Sequence, residues 1–274
     1  MKLSIHCGLH KTATTSFQTL CDANRALLYD LGVYYPNYDA RPQHSYVLWD
    51  VQKSGLNALR NFLSQSFAEA KTNCHTVLLS GEDFENCIVD IALALEIETL
   101  AIESGFDAVE WVVVTRPVES YIASLYSELS KHSVVLRRGT LERAAKERGC
   151  FYISTNRYNY IFVFDFKRFA ERFQQHVSRP VIEYSMGEFA RGFPGAILLQ
   201  GLLREEAFTR FSRLAKIDNQ IQNESLDSTQ IEVNYVSSTF GVGRLRAKRF
   251  RLLLAPLIWL RKRDIARRNA DHSN

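Results

Sequence analysis

The chain has 274 residues, a hydrophobic fraction of 46% and a formal charge of +4, enough apolar material for one large α/β domain or two small ones. Those values argue against a disordered or collagen-like polymer. The five cysteines (Cys7, Cys21, Cys74, Cys87, Cys150) are odd in number and scattered, without C-x-x-C or Cys/His ligand spacing. They predict neither a disulfide framework nor a zinc site, and read as reduced thiols of a cytoplasmic protein.

In chain order, the first apolar run is "KLSIHC" (2–7), followed at once by Gly8 and a hydroxyl-rich segment, with Phe17, Leu20 and Cys21 on one helical face. Strand, tight loop and helix start are expected there. Nothing at this end resembles a signal peptide or membrane anchor, so export is not expected. Further strands are predicted at 75–80, 110–115 and 180–185, with a weaker one at 32–36. Helical patterns cover 15–30, 55–71, 87–104, 117–131 and 160–176. The alternation predicts a three-layer α/β fold, P-loop-like, with a central parallel sheet flanked by helices. In such sheets ligands bind beyond the carboxyl ends of the strands.

The pattern weakens over 133–157, read as an excursion on the active-site side. The polar run "DNQIQNESLDSTQ" and the "FGVG" turn predict an exposed connection over 218–243. A last, basic helix is expected near 244–268, giving an α/β domain over 1–240 and a basic amphipathic tail over 241–274. Ten basic residues and one acid lie between Arg244 and Arg268, so that segment carries +9 against +4 for the whole chain, and the remainder is net acidic. Its apolar run "LLLAPLIWL" contains Pro256 and falls far short of the about 20 residues a membrane span needs. It suits packing on the domain, homodimer formation, or peripheral contact with an anionic inner-membrane surface. Nucleic acid is not expected, since the tail has one aromatic pair (Phe250, Trp259) and no recognised binding module.

Two stretches carry chemistry. In "GLHKTATTS" (8–16), Lys11 adds a full charge to the N–H groups of a helix start, and Thr12, Ala13, Thr14, Thr15 and Ser16 supply hydroxyl or backbone donors for an anion. The G-x-x-x-x-G-K-[ST] order of nucleotide-phosphate loops is absent, and no magnesium ligand is evident. In "VVVTRPVESYIASLYSE" (112–128), Arg116 ends a strand and offers a planar fork, with the Ser124 hydroxyl eight residues later on the following helix. Two anion sites on one sheet imply a ligand with two phosphorylated ends.

Together these stretches resemble the paired cofactor motifs of sulfotransferases that use 3′-phosphoadenosine 5′-phosphosulfate (PAPS), especially bacterial members with a G-L-H-K-T-G-T-T-S loop. The resemblance covers about 1–190. It implies that the loop holds the 5′-phosphosulfate, that Arg116 and Ser124 hold the 3′-phosphate, and that no metal takes part. The implied reaction is in-line transfer of a sulfuryl group to a hydroxyl or amine of a carbohydrate, glycolipid or small metabolite. Ala13 stands where that family has Gly, and a positive φ there would strain alanine.

Two residues at strand ends suit the proton acceptor: Glu82 in "LLSGEDF" and His44 in "RPQHSYVLWD". Glu82 is also placed to cap a helix, and His44 to be a plain loop residue. Tyr158 resembles an adenine-side tyrosine only loosely and reads better as core. The competing functions are a P-loop nucleotide-dependent phosphotransferase and a non-catalytic nucleotide-binding partner at a membrane surface.

Overall fold

A computed structural model describes residues 1–131, 134, 136–156 and 158–217, with isolated residues between 231 and 263. The expected connection over 218–243 and the basic helix over 244–268 therefore lie almost wholly outside the described residues. The chain divides into two compact units: Met1–Tyr121 with Ala144–Gln222, and Ile122–Arg143 with Asn223–Asn274.

The first unit is built on a five-stranded sheet. Its strands are β1 (Lys2–Gly8), β2 (Val33–Tyr34), β3 (Thr76–Ser80), β4 (Ala108–Thr115) and β7 (Ile182–Ser185), in the order β2-β3-β1-β4-β7. Every pairing is parallel. All five strands fall on the predicted runs; the central β1, β3 and β4 are buried nearly throughout, as parallel strands covered on both faces are, whereas the edge strand β7 alternates half-buried and exposed. Along β4, Val112 and Val114 face a cluster of Phe17, Leu20, Phe189, Leu199 and Phe211. Trp111 alternates to the opposite face, where its ring packs edge-on against Phe173 at 5.4 Å. Both layers are closed to water: Phe17, Trp111, Phe173 and Phe211 are fully buried. Each such side chain contributes about 1.5–3 kcal/mol by burial.

The helices connect these strands. α1 (Thr14–Ala23) and α2 (Arg25–Asp30) precede β2, α3 (Ser45–Ser54) and α4 (Asn57–Ala70) precede β3, and α5 (Asn86–Val89) and α6 (Ile91–Glu103) precede β4. α7 (Val118–Lys131) and α8 (Arg138–Arg148) lead to β5 (Cys150–Ser154) and β6 (Asn159–Val163), then α9 (Lys167–His176). α10 (Met186–Phe189), α11 (Ala196–Leu202) and α12 (Glu205–Leu214) follow β7. No helix of the described residues is long and apolar enough to cross a membrane.

Several expectations are corrected. The helix over 15–30 breaks at Asn24, whose Nδ2 donates to the carbonyls of Leu20 (2.8 Å) and Lys216 (3.0 Å) while its Oδ1 accepts from Lys216 N–H (2.8 Å). A tie to a residue 192 positions away overrides the local helical pattern. The helix over 160–176 starts only at Lys167, because 159–163 pairs with 150–154 as an antiparallel hairpin. Tyr160 and Phe162 share one face of that hairpin with rings nearly parallel at 6.0 Å, the period of two that a strand imposes. The weak stretch over 133–157 contains α8 and β5, and α3 was not anticipated.

In the second unit, the last turns of α7 and most of α8 are ordered elements. Asn234 Nδ2 donates to Ser130 at both its carbonyl (3.3 Å) and Oγ (3.0 Å), and Arg137 Nε donates to Tyr235 OH at 3.2 Å.

Candidate functional site

After β1 the chain runs to the edge strand β2, returns to β3 beside β1, and then crosses to β4 on the other side, so the carboxyl end of β1 is the switch point of the sheet. His6 pairs with Ser80 of β3, and Gly8 with Val114 of β4. Segments leaving three adjacent strands therefore converge: the loop 8–13 from β1, Gly81–Glu85 from β3, and Arg116 from β4.

The loop turns by placing Lys11 (φ 69°) and Ala13 (φ 64°) in the left-handed region. Leu9 N–H donates to Val114 O at 3.2 Å, holding the loop to β4. Thr12 Oγ donates to Leu9 O at 2.6 Å and lies 3.3 Å from Thr14 Oγ. The Thr12 hydroxyl hydrogen is thus used inside the loop rather than offered outward, and only its backbone N–H is left as an anion donor. A Cβ at Gly8 would stand 2.5 Å from Thr14 Oγ, so the tight wrap demands glycine for space. Ala13 is the N-cap of α1 and makes no side-chain cap. The first-turn N–H groups of a ten-residue helix are therefore not capped from that position, the arrangement that receives an anion. Thr15 and Ser16 are half-buried in this first turn.

Arg116 joins the second motif to the first. Its Nη1 donates to the Lys11 carbonyl at 2.6 Å and its Nε to Ser120 Oγ at 3.0 Å, while Ser120 Oγ donates to Pro117 O at 2.8 Å. Ser124 is half-buried on α7, in the stretch that belongs to the second unit.

Glu82 opens a single 3-10 turn, Glu82–Glu85, directly after β3. Burial raises its carboxyl above the usual range, and the charges of His10 and Lys11 pull it back. A 3-10 turn has three residues per turn, so Glu82 and Glu85 project on the same side. Both meet His10: its Nδ1 lies 2.6 Å from Glu85 Oε2, and its Nε2 lies 3.7 Å from Asp83 Oδ1 and 4.0 Å from Glu82 Oε2. Asp83 also accepts from Trp49 Nε1 at 2.8 Å. Burial opposes charge on His10, yet the hydrogen bond and charge of Glu85, with Glu82 and Asp83 behind it, outweigh it and push the imidazole up to about 9.

His44 is corrected as a candidate base. It is fully buried, its Nδ1 accepts from Ser80 N–H at 2.9 Å, and its Nε2–H donates to Pro36 O at 2.8 Å. Both nitrogens are committed to backbone, and burial lowers the ring to about 4. The residue stitches the segment after β2 to the end of β3. Tyr158 is buried too, its hydroxyl accepting from Asn86 Nδ2 at 2.9 Å, as a core residue does.

The sequence reading missed His10, Glu85 and Tyr121. The available signal was the histidine beside Lys11 and the i, i+3 spacing of two acids after a strand. What joins them is long-range: Tyr121 OH donates to Glu85 Oε1 at 2.8 Å across 36 positions of sequence. Among the described residues no group of His, Cys, Asp and Glu has the arrangement to hold a metal ion.

No protein-family model matches the chain, and no curated protein matches it. A solved structure of a sulfotransferase from Alicyclobacillus acidocaldarius is similar to it at 11% identity and a TM-score of 0.43, over 89% of this chain and 98% of that one.

Proposed function

We propose that the protein is a PAPS-dependent sulfotransferase acting on a hydroxyl or amine of a carbohydrate, glycolipid or small metabolite. The observation that carries the reading is the Arg116–Lys11 hydrogen bond, which ties the arginine motif to a glycine-wrapped loop leading into a helix with no side-chain cap from Ala13. A ligand anionic at two ends fits such a pair of donors better than a single phosphate would. Bound there, PAPS would supply an activated sulfuryl group, with adenosine 3′,5′-bisphosphate as the leaving group.

In this reading the loop of Lys11, Thr12, Ala13, Thr14, Thr15 and Ser16 receives the 5′ end, Lys11 offsetting the charge that grows on the leaving oxygen. Arg116 and Ser124 receive the 3′-phosphate. Glu82, beside Lys11 and raised by burial, takes the proton of the acceptor. No protein metal ligand is required. The test is calorimetric titration of the protein with adenosine 3′,5′-bisphosphate in EDTA, with Lys11→Ala and Arg116→Ala alongside. Low-micromolar binding lost in both variants is expected. Absence of binding by the wild type would reject the proposal, and binding of ATP only with magnesium would favour a phosphotransferase instead.

A further inference from the structure

The acids after β3 surround a histidine that is clamped rather than mobile. One oxygen of Glu85, Oε2, accepts from both the backbone N–H of His10 (3.0 Å) and its Nδ1 (2.6 Å), which fixes the ring relative to its own main chain. The other oxygen accepts from Tyr121 OH and from Val163 N–H. Glu85 is fully buried, and these four donors satisfy it. The ring packs edge-on against Phe162 at 4.8 Å and Tyr160 at 6.5 Å, so its opposite edge, Nε2, can turn only toward Glu82 and Asp83.

The groups facing His10 are three carboxyls of the 3-10 turn (Glu82, Asp83, Glu85), the Tyr160 and Phe162 rings of β6, Tyr121 of α7 and the neighbouring Lys11 of its own loop. Three acids against one cation favour the charged ring. Glu82 shows the reciprocal effect: burial raises it, and His10 is the foremost of the groups that lower it.

We propose that His10 is a positioning residue: clamped by Glu85 as an imidazolium, it supplies the fixed positive charge that orients the Glu82 carboxylate and holds it in its charged form, ready to accept a proton. The functional part of this inference rests on the sulfotransferase reading, whereas the electrostatic part does not need it.

The test therefore has two readouts. In the full-length protein, NMR follows the His10 imidazole and the Glu82 carboxyl carbon through a pH titration, in the wild type, in His10→Gln and in His10→Lys. The wild-type ring is expected to stay charged through neutral pH, the Glu82 carboxyl to titrate about one unit higher in His10→Gln, and His10→Lys to lie near the wild type. A wild-type ring that titrates near the ordinary 6.5 overturns the proposal without any variant having to fold. An unmoved Glu82 in folded His10→Gln overturns it as well. Wild-type binding of adenosine 3′,5′-bisphosphate separately decides the sulfotransferase reading. Where binding and transfer occur, the acid limb of the pH–rate profile in His10→Gln is expected to move to higher pH by the same unit, about tenfold lower proton concentration, with nucleotide affinity retained; an acid limb that stays put overturns the positioning role.

Discussion

Arg116 Nη1 donates to the carbonyl of Lys11 at 2.6 Å, across 105 positions of sequence, while its Nε holds Ser120. The guanidinium thus shapes the loop in addition to presenting charge beside it. A lysine has one compact donor head and cannot span both partners. Arg116→Lys is expected to weaken adenosine 3′,5′-bisphosphate binding by about 10-fold or more and to lower the unfolding midpoint, since a charged hydrogen bond is worth about 1.5–3 kcal/mol. Calorimetry and thermal unfolding check both effects. Retention of wild-type affinity would show that charge alone matters at this position.

Ala13 sits at φ 64°, ψ 17°, where a Cβ is unfavourable by about 1–2 kcal/mol. Glycine removes that strain but adds freedom to the unfolded chain, offsetting about 0.4–1 kcal/mol. Ala13→Gly is expected to leave the fold equally stable or raise it by up to about 1 kcal/mol, a gain of about 2–4 °C in midpoint for a chain of this size. Scanning calorimetry checks it. A loss of stability would mean that the alanine methyl makes a packing contact that outweighs its strain.

Three histidines predict the pH dependence of stability. Burial lowers His6 to about 3 and His44 to about 4, whereas both return to near 6.5 in the unfolded chain. Below about 6.5 the unfolded chain binds more protons, so stability falls with acid by about 1.4 kcal/mol per pH unit for each ring until the folded values are reached. His10, at about 9, runs the other way: its contribution is complete below about 6.5 and is lost as pH rises through about 9. Urea unfolding across pH is expected to show a maximum near 6.5, with the alkaline decline reduced in His10→Gln. A flat profile between 4 and 6.5 would contradict the buried neutral state of His6 and His44.

Glu82 and His44 should separate cleanly. Glu82→Gln is expected to lower the rate of sulfuryl transfer by about 10²–10⁴-fold while leaving nucleotide binding in place, as removal of a general base does. His44→Ala leaves Ser80 N–H and the Pro36 carbonyl without their ring partners. Its expected effect is a stability loss of about 2–4 kcal/mol from two broken buried hydrogen bonds, with the activity of the folded fraction retained. Transfer assays normalised to the folded fraction distinguish the two outcomes.

The amino-acid sequence by itself determined the five parallel strands and the loop at Gly8–Ser16, because a strand buried on both faces, as β3 and most of β4 are, must be largely apolar and β-branched, and a tight strand-to-helix turn must carry glycine and donors. Those are local requirements, legible one segment at a time. The hairpin 150–163 was hidden because aromatic residues suit both a strand and an amphipathic helix, and only pairing with a partner strand chooses. His44 and His10 illustrate the same limit at the site. Each follows or precedes a strand end and each could titrate near neutrality, yet one ring is locked neutral between Ser80 and Pro36 and the other is held charged by Glu85. The strand order β2-β3-β1-β4-β7 decided between them, since it alone brings the acids after β3 against the loop after β1, and charge state follows from such through-space neighbours rather than from residue type.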